Sequence, residues 1–437
     1  MRWDVTCQCP HKRCPGSHSR GWSEPTPKFL WLTEAGSDTQ TLITLPARPA
    51  LCDVADRVTE LLPYYASVHR GAGYASRVCT RLYEGARETV GRFVGACADH
   101  HVIFTRNTTD SLNLLASTVP GEVVVLDIEH HANLLTWQRY GARVVAHRTT
   151  VPDTVAALDE ELARRPAALL AVTGASNVTG EVLPLGELAA AAHRNGARIA
   201  VDGAQLAPHR RIDLAADGID YLAFSGHKLY APFGAGVLVG QADWLDAARP
   251  YLAGGGAVRN VDIDEAQWFT GPRRHEAGTP NVVGVAAIAA ACEALTVLGD
   301  LGHAEDALTV QLRDGLEEME GVDTLRIWEG DRDVLGIVSF TVAGYAPSVV
   351  AAYLSAEHGI GLRDGRFCAH PLLARLGAPD GALRASIGLG TTAGDIARLL
   401  GAIDELVRRG PGLAYIERDG QIGPVDDPRP LPDFLAA

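Results

Sequence analysis

The fold is decided by the stretch IAVDGAQ, residues 199–205, together with the stretch YLAFSGHKLYAPFGAGVL, residues 221–238. Each stretch opens with a short apolar run, which is typical of a strand buried in a parallel sheet. Asp202 follows the first run, and Lys228 comes just after the second. Open α/β sheets bind their ligands beyond the carboxyl ends of the strands. The pattern therefore predicts that both side chains face one ligand site.

A lysine opposite an aspartate suits an aldehyde cofactor. The lysine amine forms a Schiff base with the aldehyde, and the carboxylate keeps a pyridinium nitrogen protonated. Considered singly, Lys228 is more simply explained as a charged residue of a surface loop, and Asp202 as a residue that caps a helix. The pair in this order, with Ser225 and His227 beside the lysine as phosphate donors, is much more specific.

The segments VDGAQ (201–205) and SGHKLYAPFGAG (225–236) resemble the class V aminotransferase superfamily of pyridoxal-phosphate enzymes. The likeness is in particular to the group II cysteine desulfurases and selenocysteine lyases, and it extends from about residue 64 to about residue 407. It implies an α/β protein of pyridoxal-phosphate fold type I. Such a fold has a large domain with a mostly parallel, seven-stranded type of sheet and a small α+β C-terminal domain. The cofactor ligands implied in these segments are Asp202, Gln205, Ser225, His227 and Lys228.

The chain of 437 residues is long enough for a large domain and a smaller one. We predict an irregular N-terminal arm at 1–27, a large cofactor-binding domain at 28–290, a small domain carrying a cysteine loop at 291–410, and an extended tail at 411–437.

The N-terminal arm contains three cysteines and two histidines whose spacing could ligate zinc. The paired Cys-x-x-Cys arrangement of zinc knuckles is missing, so a mobile cysteine-bearing arm is favoured and no metal site is predicted. Short strands are predicted after the arm, at residues 29–31 and 42–45. The five residues of the cluster are Cys7, Cys9, His11, Cys14 and His18.

Composition and charge argue against several classes of function. The net charge of −14 argues against nucleic acid or an anionic membrane as the main partner. No apolar run reaches the roughly 18 residues that span a bilayer. The N-terminus lacks the apolar core of a secretory signal. Eight cysteines in a chain of this length do not indicate a disulfide scaffold, so a reducing cytoplasm is expected.

A second phosphate-binding element is predicted upstream. The strand predicted at residues 101–105 leads into Asn107, Thr108 and Thr109, and a helical run follows. A polar cap at the start of a helix leaves backbone N–H groups that bind phosphate. Plain helix capping is the alternative, but the lysine motif downstream favours phosphate binding. Thr108 and Thr109 are therefore predicted cofactor ligands.

The resemblance implies three further contacts. In EHHAN, residues 129–133, the second histidine, His131, is implied to stack on the pyridine ring and to relay protons, since imidazole titrates near neutrality. The amide of Asn177 is implied to bind the phenolic oxygen of the cofactor or the substrate carboxylate. In HEAGTPN, residues 275–281, Thr279 is implied to reach the phosphate of the neighbouring subunit. A homodimer with shared active sites is therefore predicted.

The second informative stretch is RDGRFCA, residues 363–369. Group II desulfurases have Arg-x-Gly-His-His-Cys-Ala here, and their cysteine accepts sulfur. Arg363 and Cys368 match, whereas Arg366-Phe367 replaces the two histidines. Arginines near a cysteine favour its nucleophilic thiolate, so Cys368 is predicted to be catalytic rather than an inert core residue. Arg363 and Arg384 are implied to bind the substrate carboxylate, which a guanidinium holds at two points.

Together these residues predict a dimeric enzyme that removes sulfur from L-cysteine or selenium from selenocysteine. Lys228 takes the α-proton, and Cys368 attacks the substrate sulfur, leaving a protein persulfide and alanine. A C–S lyase, an aminotransferase or an epimerase of a secondary pathway would share the fold and the cofactor. A non-catalytic cofactor-binding or sulfur-carrier protein is a different class, against which the set of Asp202, Lys228 and Arg384 counts. A sulfur-acceptor protein is a candidate partner.

Overall fold

A computed structural model describes residues 50–299, 302–427 and 429 of the chain. The N-terminal Cys/His cluster and the strands predicted at residues 29–31 and 42–45 lie outside these residues. Among the helices of the described ranges, none is both long enough and apolar enough to cross a membrane.

The central sheet has seven strands, of which β2, β4 and β6 are buried at every residue. Burial on both faces is typical of parallel strands that helices cover on each side. The strands are β1 (His100–Thr105), β2 (Val123–Leu126), β3 (Arg143–Val145), β4 (Leu169–Thr173), β5 (Arg198–Asp202), β6 (Tyr221–Ser225) and β7 (Gly236–Gln241). Their order is β1-β7-β6-β5-β4-β2-β3, and only β7 runs antiparallel to its neighbours. The predicted mostly parallel α/β sheet is confirmed.

The register of the central strands brings their carboxyl ends to one edge of the sheet. Thr173 lies opposite Asp202, and Asp202 lies opposite Ala223. Ser225, the last residue of β6, therefore lies just beyond Asp202 at the same edge.

In the described part of the chain, nine α-helices accompany this sheet: α1 (Cys52–Leu61), α2 (Tyr74–Phe93), α3 (Thr108–Ala116), α4 (His131–Gln138), α5 (Val151–Arg164), α6 (Leu185–Arg194), α7 (Leu214–Asp217), α8 (Ala242–Ala247) and α9 (Val282–Leu298). Helix α9 consists almost wholly of apolar residues and is buried along most of its length. It runs without a break through residue 290, where the sequence predicts a domain boundary. A hairpin of β8 (Val258–Val261) and β9 (Ala266–Trp268) precedes it.

A second, antiparallel sheet has four strands: β10 (Val322–Thr324), β11 (Ile337–Val342), β12 (Arg363–Gly365) and β13 (Ala382–Ser386). Helices α10 (Gly302–Glu317), α11 (Pro347–His358), α12 (His370–Arg375) and α13 (Ala393–Arg409) accompany it. This sheet has a hydrophobic core of its own. Phe367, Ala369 and Leu372, which follow β12, instead pack in the core of the central sheet. The cysteine segment therefore connects the two cores.

The region predicted as an extended tail contains a hairpin of β14 (Tyr415–Arg418) and β15 (Gln421–Pro424). The carboxylate of Glu357, in α11, accepts hydrogen bonds from the backbone of Gly412 (2.9 Å) and Leu413 (3.1 Å) and from the hydroxyl of Tyr415 (2.8 Å). These contacts hold the start of the hairpin against α11, a long-range effect that local composition does not reveal.

Candidate active site

Asp202 and Lys228 lie in one electrostatic environment at the carboxyl edge of the sheet. Asp202 is 4% exposed, and its Oδ1 accepts a hydrogen bond of 3.0 Å from the backbone N–H of Ala204. Burial raises the pKa of Asp202, while the charge of Lys228 and the Ala204 N–H partly offset this rise. A positively charged N–H group, such as a protonated ring nitrogen, would stabilise the ionised form of this buried carboxyl group.

The turn that carries Lys228 is closely packed. Lys228 ends a single 3₁₀ turn that follows β6 and is half-buried. A Cβ on Gly226, at the start of this turn, would lie 2.8 Å from Ile288 Cγ1 and 2.9 Å from the carbonyl oxygen of Ala231. Only glycine fits at such a distance. The close packing against α9 therefore fixes the backbone from which the lysine extends.

Ser225 meets the N-terminus of α3. Its Oγ accepts a hydrogen bond of 2.7 Å from the Thr108 N–H and lies 2.6 Å from Thr108 Oγ1. Asn107 caps the helix, and Thr109 is exposed beside it. A Cβ on Gly236 would lie 2.5 Å from the Cα of Asn107, so glycine permits β7 to approach this cap. Two hydroxyl groups at a helix N-terminus suit an anionic group such as a phosphate.

Two other predicted cofactor ligands flank this edge. His227 is half-buried, and burial lowers its pKa, with a contribution from Lys228. Gln205 is buried in the turn that follows β5. Both therefore belong to the segments that position Lys228 and Asp202.

The two adjacent histidines have different surroundings. His130 caps α4, where its Nδ1 accepts a hydrogen bond of 3.0 Å from Ala132 N–H. Burial lowers the pKa of His130 to about 3, and the charges of Lys228, His131, Arg363 and Arg384 contribute. His130 is therefore neutral near pH 7 and lies within the electrostatic field of the predicted site.

His131 instead belongs with the cysteine segment. Its backbone N–H donates a hydrogen bond of 2.8 Å to the carbonyl of Cys368. Its ring lies edge-on to that of His370 at 4.5 Å, and burial and His370 lower its pKa. The ring-stacking role of His131 stays a prediction, and His130 is a second candidate for it. The sequence pattern did not distinguish the two residues, because the helix cap and the contacts of the cysteine segment give them different surroundings.

Glu129 was not predicted as a site residue. It is 1% exposed and accepts hydrogen bonds from Asn133 Nδ2 (2.7 Å) and from the backbone of Thr173 (3.0 Å). Burial raises the pKa of Glu129 to about 8, and the charges of Asp202 and Asp127 add to the rise. Glu129 is therefore protonated at neutral pH. An acidic residue after a buried strand was the only available signal, and it does not reveal burial.

The cysteine segment is held through its backbone. Phe367 and Cys368 have φ angles of +50° and +55°, in the left-handed region that non-glycine residues rarely adopt. The carbonyl of Phe367 accepts a hydrogen bond of 2.8 Å from Asn177 Nδ2, and His131 binds the next carbonyl. Cys368 is half-buried, and Arg363 Nη2 donates to its Sγ at 3.8 Å. The thiol therefore has a cationic neighbour and a fixed backbone.

A second arginine lies opposite Arg363. Arg363 and Arg384 face each other across β12 and β13. Arg384 is 2% exposed, and its Nη1 donates a hydrogen bond of 2.7 Å to the carbonyl of Asn177. Asn177 thus contacts both Arg384 and the backbone of the cysteine segment. Two neighbouring guanidinium groups suit a carboxylate ligand.

Thr279 lies apart from these residues. It is exposed and, within the described residues, forms no hydrogen bond with the groups above. Arg70 holds the preceding turn, because its Nη2 donates to the carbonyls of Gly255 (2.7 Å) and Gly278 (2.9 Å). Over residues 50–299, 302–427 and 429, no group of three His, Cys, Asp or Glu residues could hold a metal ion.

Comparison with known proteins finds one matching family model and several similar cysteine desulfurases. The sequence model of the Aminotransferase class-V family matches residues 49–399. A cysteine desulfurase of Klebsiella pneumoniae (strain 342) is 35% identical over 359 residues, which cover 78% of this chain and 86% of that protein. The apo structure of a cysteine desulfurase from Thermococcus onnurineus NA1 is 33% identical, with a TM-score of 0.76 and coverage of 83% of this chain and 93% of that one. A cysteine desulfurase structure from Escherichia coli is 34% identical, with a TM-score of 0.75 and coverage of 84% and 94%.

Proposed function

Because this chain belongs to the class-V aminotransferase family, we propose that it is a pyridoxal-phosphate-dependent cysteine desulfurase. The substrate is L-cysteine or its selenium analogue, and the products are alanine and a persulfide on Cys368. The observation that carries this proposal is the contact between Arg363 and the Cys368 sulfur, on a loop held by Asn177 and His131. A nucleophilic thiol is thereby kept beside Arg363, which faces Arg384 on the neighbouring strand, and these two arginines suit a substrate carboxylate.

The residues at the sheet edge fit pyridoxal phosphate. When bound through Lys228, this cofactor supplies an electron sink for the α-carbon of an amino acid. Asp202, buried at the strand end, would hold the ring nitrogen in its protonated form. Thr108, Ser225 and His227 would bind the phosphate, together with the N–H groups at the start of α3.

Further residues would complete the cofactor site. We assign His130 to the face of the ring, because a neutral imidazole adds no positive charge beside Lys228. Gln205 and Asn177 are proposed to bind the phenolic side of the cofactor. Thr109 is proposed as an additional phosphate ligand, since it is exposed at the helix start.

In the proposed reaction, Arg384 and Arg363 bind the substrate carboxylate and fix the orientation of the amino acid. Lys228 then accepts the α-proton. The Cys368 thiolate attacks the substrate sulfur: an S–S bond forms, and the C–S bond breaks with its electron pair remaining on carbon. One cysteine and one protein thiol become one alanine and one protein persulfide, so this half of the cycle needs no external reductant.

We further propose a homodimer in which Thr279 completes the phosphate site of the partner. Thr279 is exposed, and Arg70 fixes the turn before it. We propose that exposed large apolar side chains of this chain lie in the subunit interface. They include Tyr65, Tyr74 and Ile263, the last in the turn of the β8–β9 hairpin and 99% exposed. Sedimentation should find a dimer, and a fully active monomer would refute this part.

We place the enzyme in a reducing cytoplasm, where the persulfide passes its sulfur to an acceptor protein or a small thiol. The five cysteines of the described chain are free thiols, which suits that compartment.

The direct test is incubation of the purified, cofactor-loaded protein with L-cysteine and a reductant. Alanine and sulfide formed in equal amounts with the reductant, together with a persulfide on the Cys368 peptide in a parallel reaction without reductant, would support the proposal. Pyruvate and ammonia in place of alanine would instead identify a C–S lyase, in which sulfur leaves without a protein acceptor. Transfer of the amino group to an added keto acid, or racemisation alone, would identify an aminotransferase or an epimerase. Absence of any turnover would identify a binding or carrier protein.

A further inference from the structure

Phe367 occupies the position next to the candidate nucleophile where the resembling enzymes have a histidine. Its side chain is 2% exposed and packs in the core of the central sheet. The residue nevertheless follows β12 of the second sheet and directly precedes Cys368. A hydrophobic ring is therefore inserted into the large core at the site of sulfur transfer.

The ring lies near two cations. The guanidinium carbon of Arg363 is 5.7 Å from the ring centroid, and that of Arg384 is 5.4 Å away. These arginines stand opposite each other on neighbouring strands, where like charges repel. The face of an aromatic ring attracts a cation at such distances. Phe367 therefore helps to keep two like charges side by side, where a charged imidazole would increase the repulsion.

The backbone of Phe367 is fixed as well. Both Phe367 and Cys368 adopt left-handed φ angles, a strain that persists only where surrounding contacts impose it. Asn177 holds the Phe367 carbonyl, and the same asparagine accepts a hydrogen bond from Arg384. Ring, carbonyl and arginines thus form one connected group.

From this arrangement we propose that Phe367 is a positioning residue: its buried ring holds the Cys368 thiol at a fixed place and holds Arg363 and Arg384 ready for the substrate carboxylate. The expected effect of Phe367 on turnover rests on the proposed desulfurase reaction. The expected effect of Phe367 on the position of the thiol does not depend on that reaction.

The test compares Phe367→Leu with Phe340→Leu in the cofactor-loaded enzyme. Phe340 is fully buried in the core of the second sheet, so its variant loses the same ring without touching the cysteine segment. For Phe367→Leu we expect kcat for alanine to fall roughly tenfold and KM to rise several-fold, because small misplacements of reacting groups cost this much. Phe340→Leu should lower the melting temperature without changing KM.

Alkylation of individual cysteines separates local loosening from unfolding. Iodoacetamide labelling, followed by peptide mass spectrometry, should modify Cys368 several-fold faster in Phe367→Leu, while the buried Cys79 and Cys292 remain protected. Faster labelling of all three would indicate general unfolding and overturn the proposal, as would an unchanged rate at Cys368.

The variant Phe367→His provides a conservative rescue. The two neighbouring guanidinium groups should lower the pKa of the new imidazole and keep it neutral, because their charges also contribute to the lowered pKa of His130. Its labelling rate at Cys368 and its pH profile should therefore match the wild type. A new ionisation between pH 5 and pH 8 would contradict the proposed arginine contacts. If the wild type forms no alanine from L-cysteine, the desulfurase function fails, yet the labelling comparison still decides the role of Phe367.

Discussion

Replacing Glu129 by glutamine should change how the stability of the protein depends on pH. Burial raises the pKa of this carboxyl group from its ordinary 4.5 to about 8. A raised pKa means that the stabilising contribution is complete below about pH 4.5 and is lost as the pH rises toward 8. Within this window the unfolded carboxyl is ionised while the folded one keeps its proton. Each pH unit therefore lowers the free energy of unfolding by about 1.4 kcal/mol.

Glutamine does not titrate, so the free energy of unfolding of Glu129→Gln should not fall in this way over the same pH range. Between pH 6 and pH 9 the free energy of unfolding of the wild type should fall by about 3 kcal/mol relative to that of the variant. The fall occurs between pH 6 and pH 8, because the folded carboxyl keeps its proton up to its pKa of about 8. The amide of glutamine can accept from Asn133 or from the Thr173 N–H but not from both. The lost hydrogen bond lowers the stability of the variant by about 1 kcal/mol at every pH.

The measurement is urea unfolding of both proteins at pH 6, 7, 8 and 9, at equal protein concentration and equal excess of cofactor, since ligands and subunits shift apparent stability. The exposed Glu88 offers a control, because Glu88→Gln should follow the wild type at every pH. A difference between wild type and Glu129→Gln that stays constant within about 0.5 kcal/mol would refute the reasoning, since the folded carboxyl would then already be ionised at pH 6.

Four further outcomes are expected at the active site. Lys228→Ala should lack the visible absorption of lysine-bound pyridoxal phosphate, and a wild type that stays colourless with the cofactor would contradict the whole assignment. Cys368→Ala should still exchange the α-proton of L-cysteine for deuterium but lose alanine formation by roughly two orders of magnitude, the scale for a missing nucleophile. Near-normal turnover of this variant would exclude the persulfide route. His130→Ala should weaken cofactor binding roughly fivefold, from about 1 kcal/mol of ring contact. His131→Ala should leave cofactor binding unchanged and speed alkylation of Cys368, because it keeps the backbone N–H but removes the ring that contacts His370 beside the cysteine segment. The reverse pattern would instead support the ring role of His131.

The sequence was most informative where one short segment contains both the strand and the residue it positions. The apolar runs before Asp202 and Lys228 predict the strand ends directly, and the parallel register then brings both residues to one edge. The polar cap before α3 was predictable for the same reason, since capping depends on neighbours along the chain.

Long-range packing determined the features that the sequence did not reveal. His130 and His131 are adjacent and chemically identical, and the helix cap together with the contacts of the cysteine segment gives them different surroundings. Glu129 gains its unusual protonation from burial. The hairpin near the C-terminus depends on Glu357, more than fifty residues away.

The way the cysteine segment is anchored limits how far a transferred sulfur atom can travel. Its two successive carbonyls are bonded to Asn177 and His131, and the flanking Phe367 and Ala369 are buried in the central core. Such a segment cannot swing out to deliver its cargo over a long distance. In the proposed reaction an acceptor must therefore bring its own thiol to Cys368. The length and flexibility of the acceptor's reaching segment, rather than motion of this protein, should then determine which molecules can collect the sulfur.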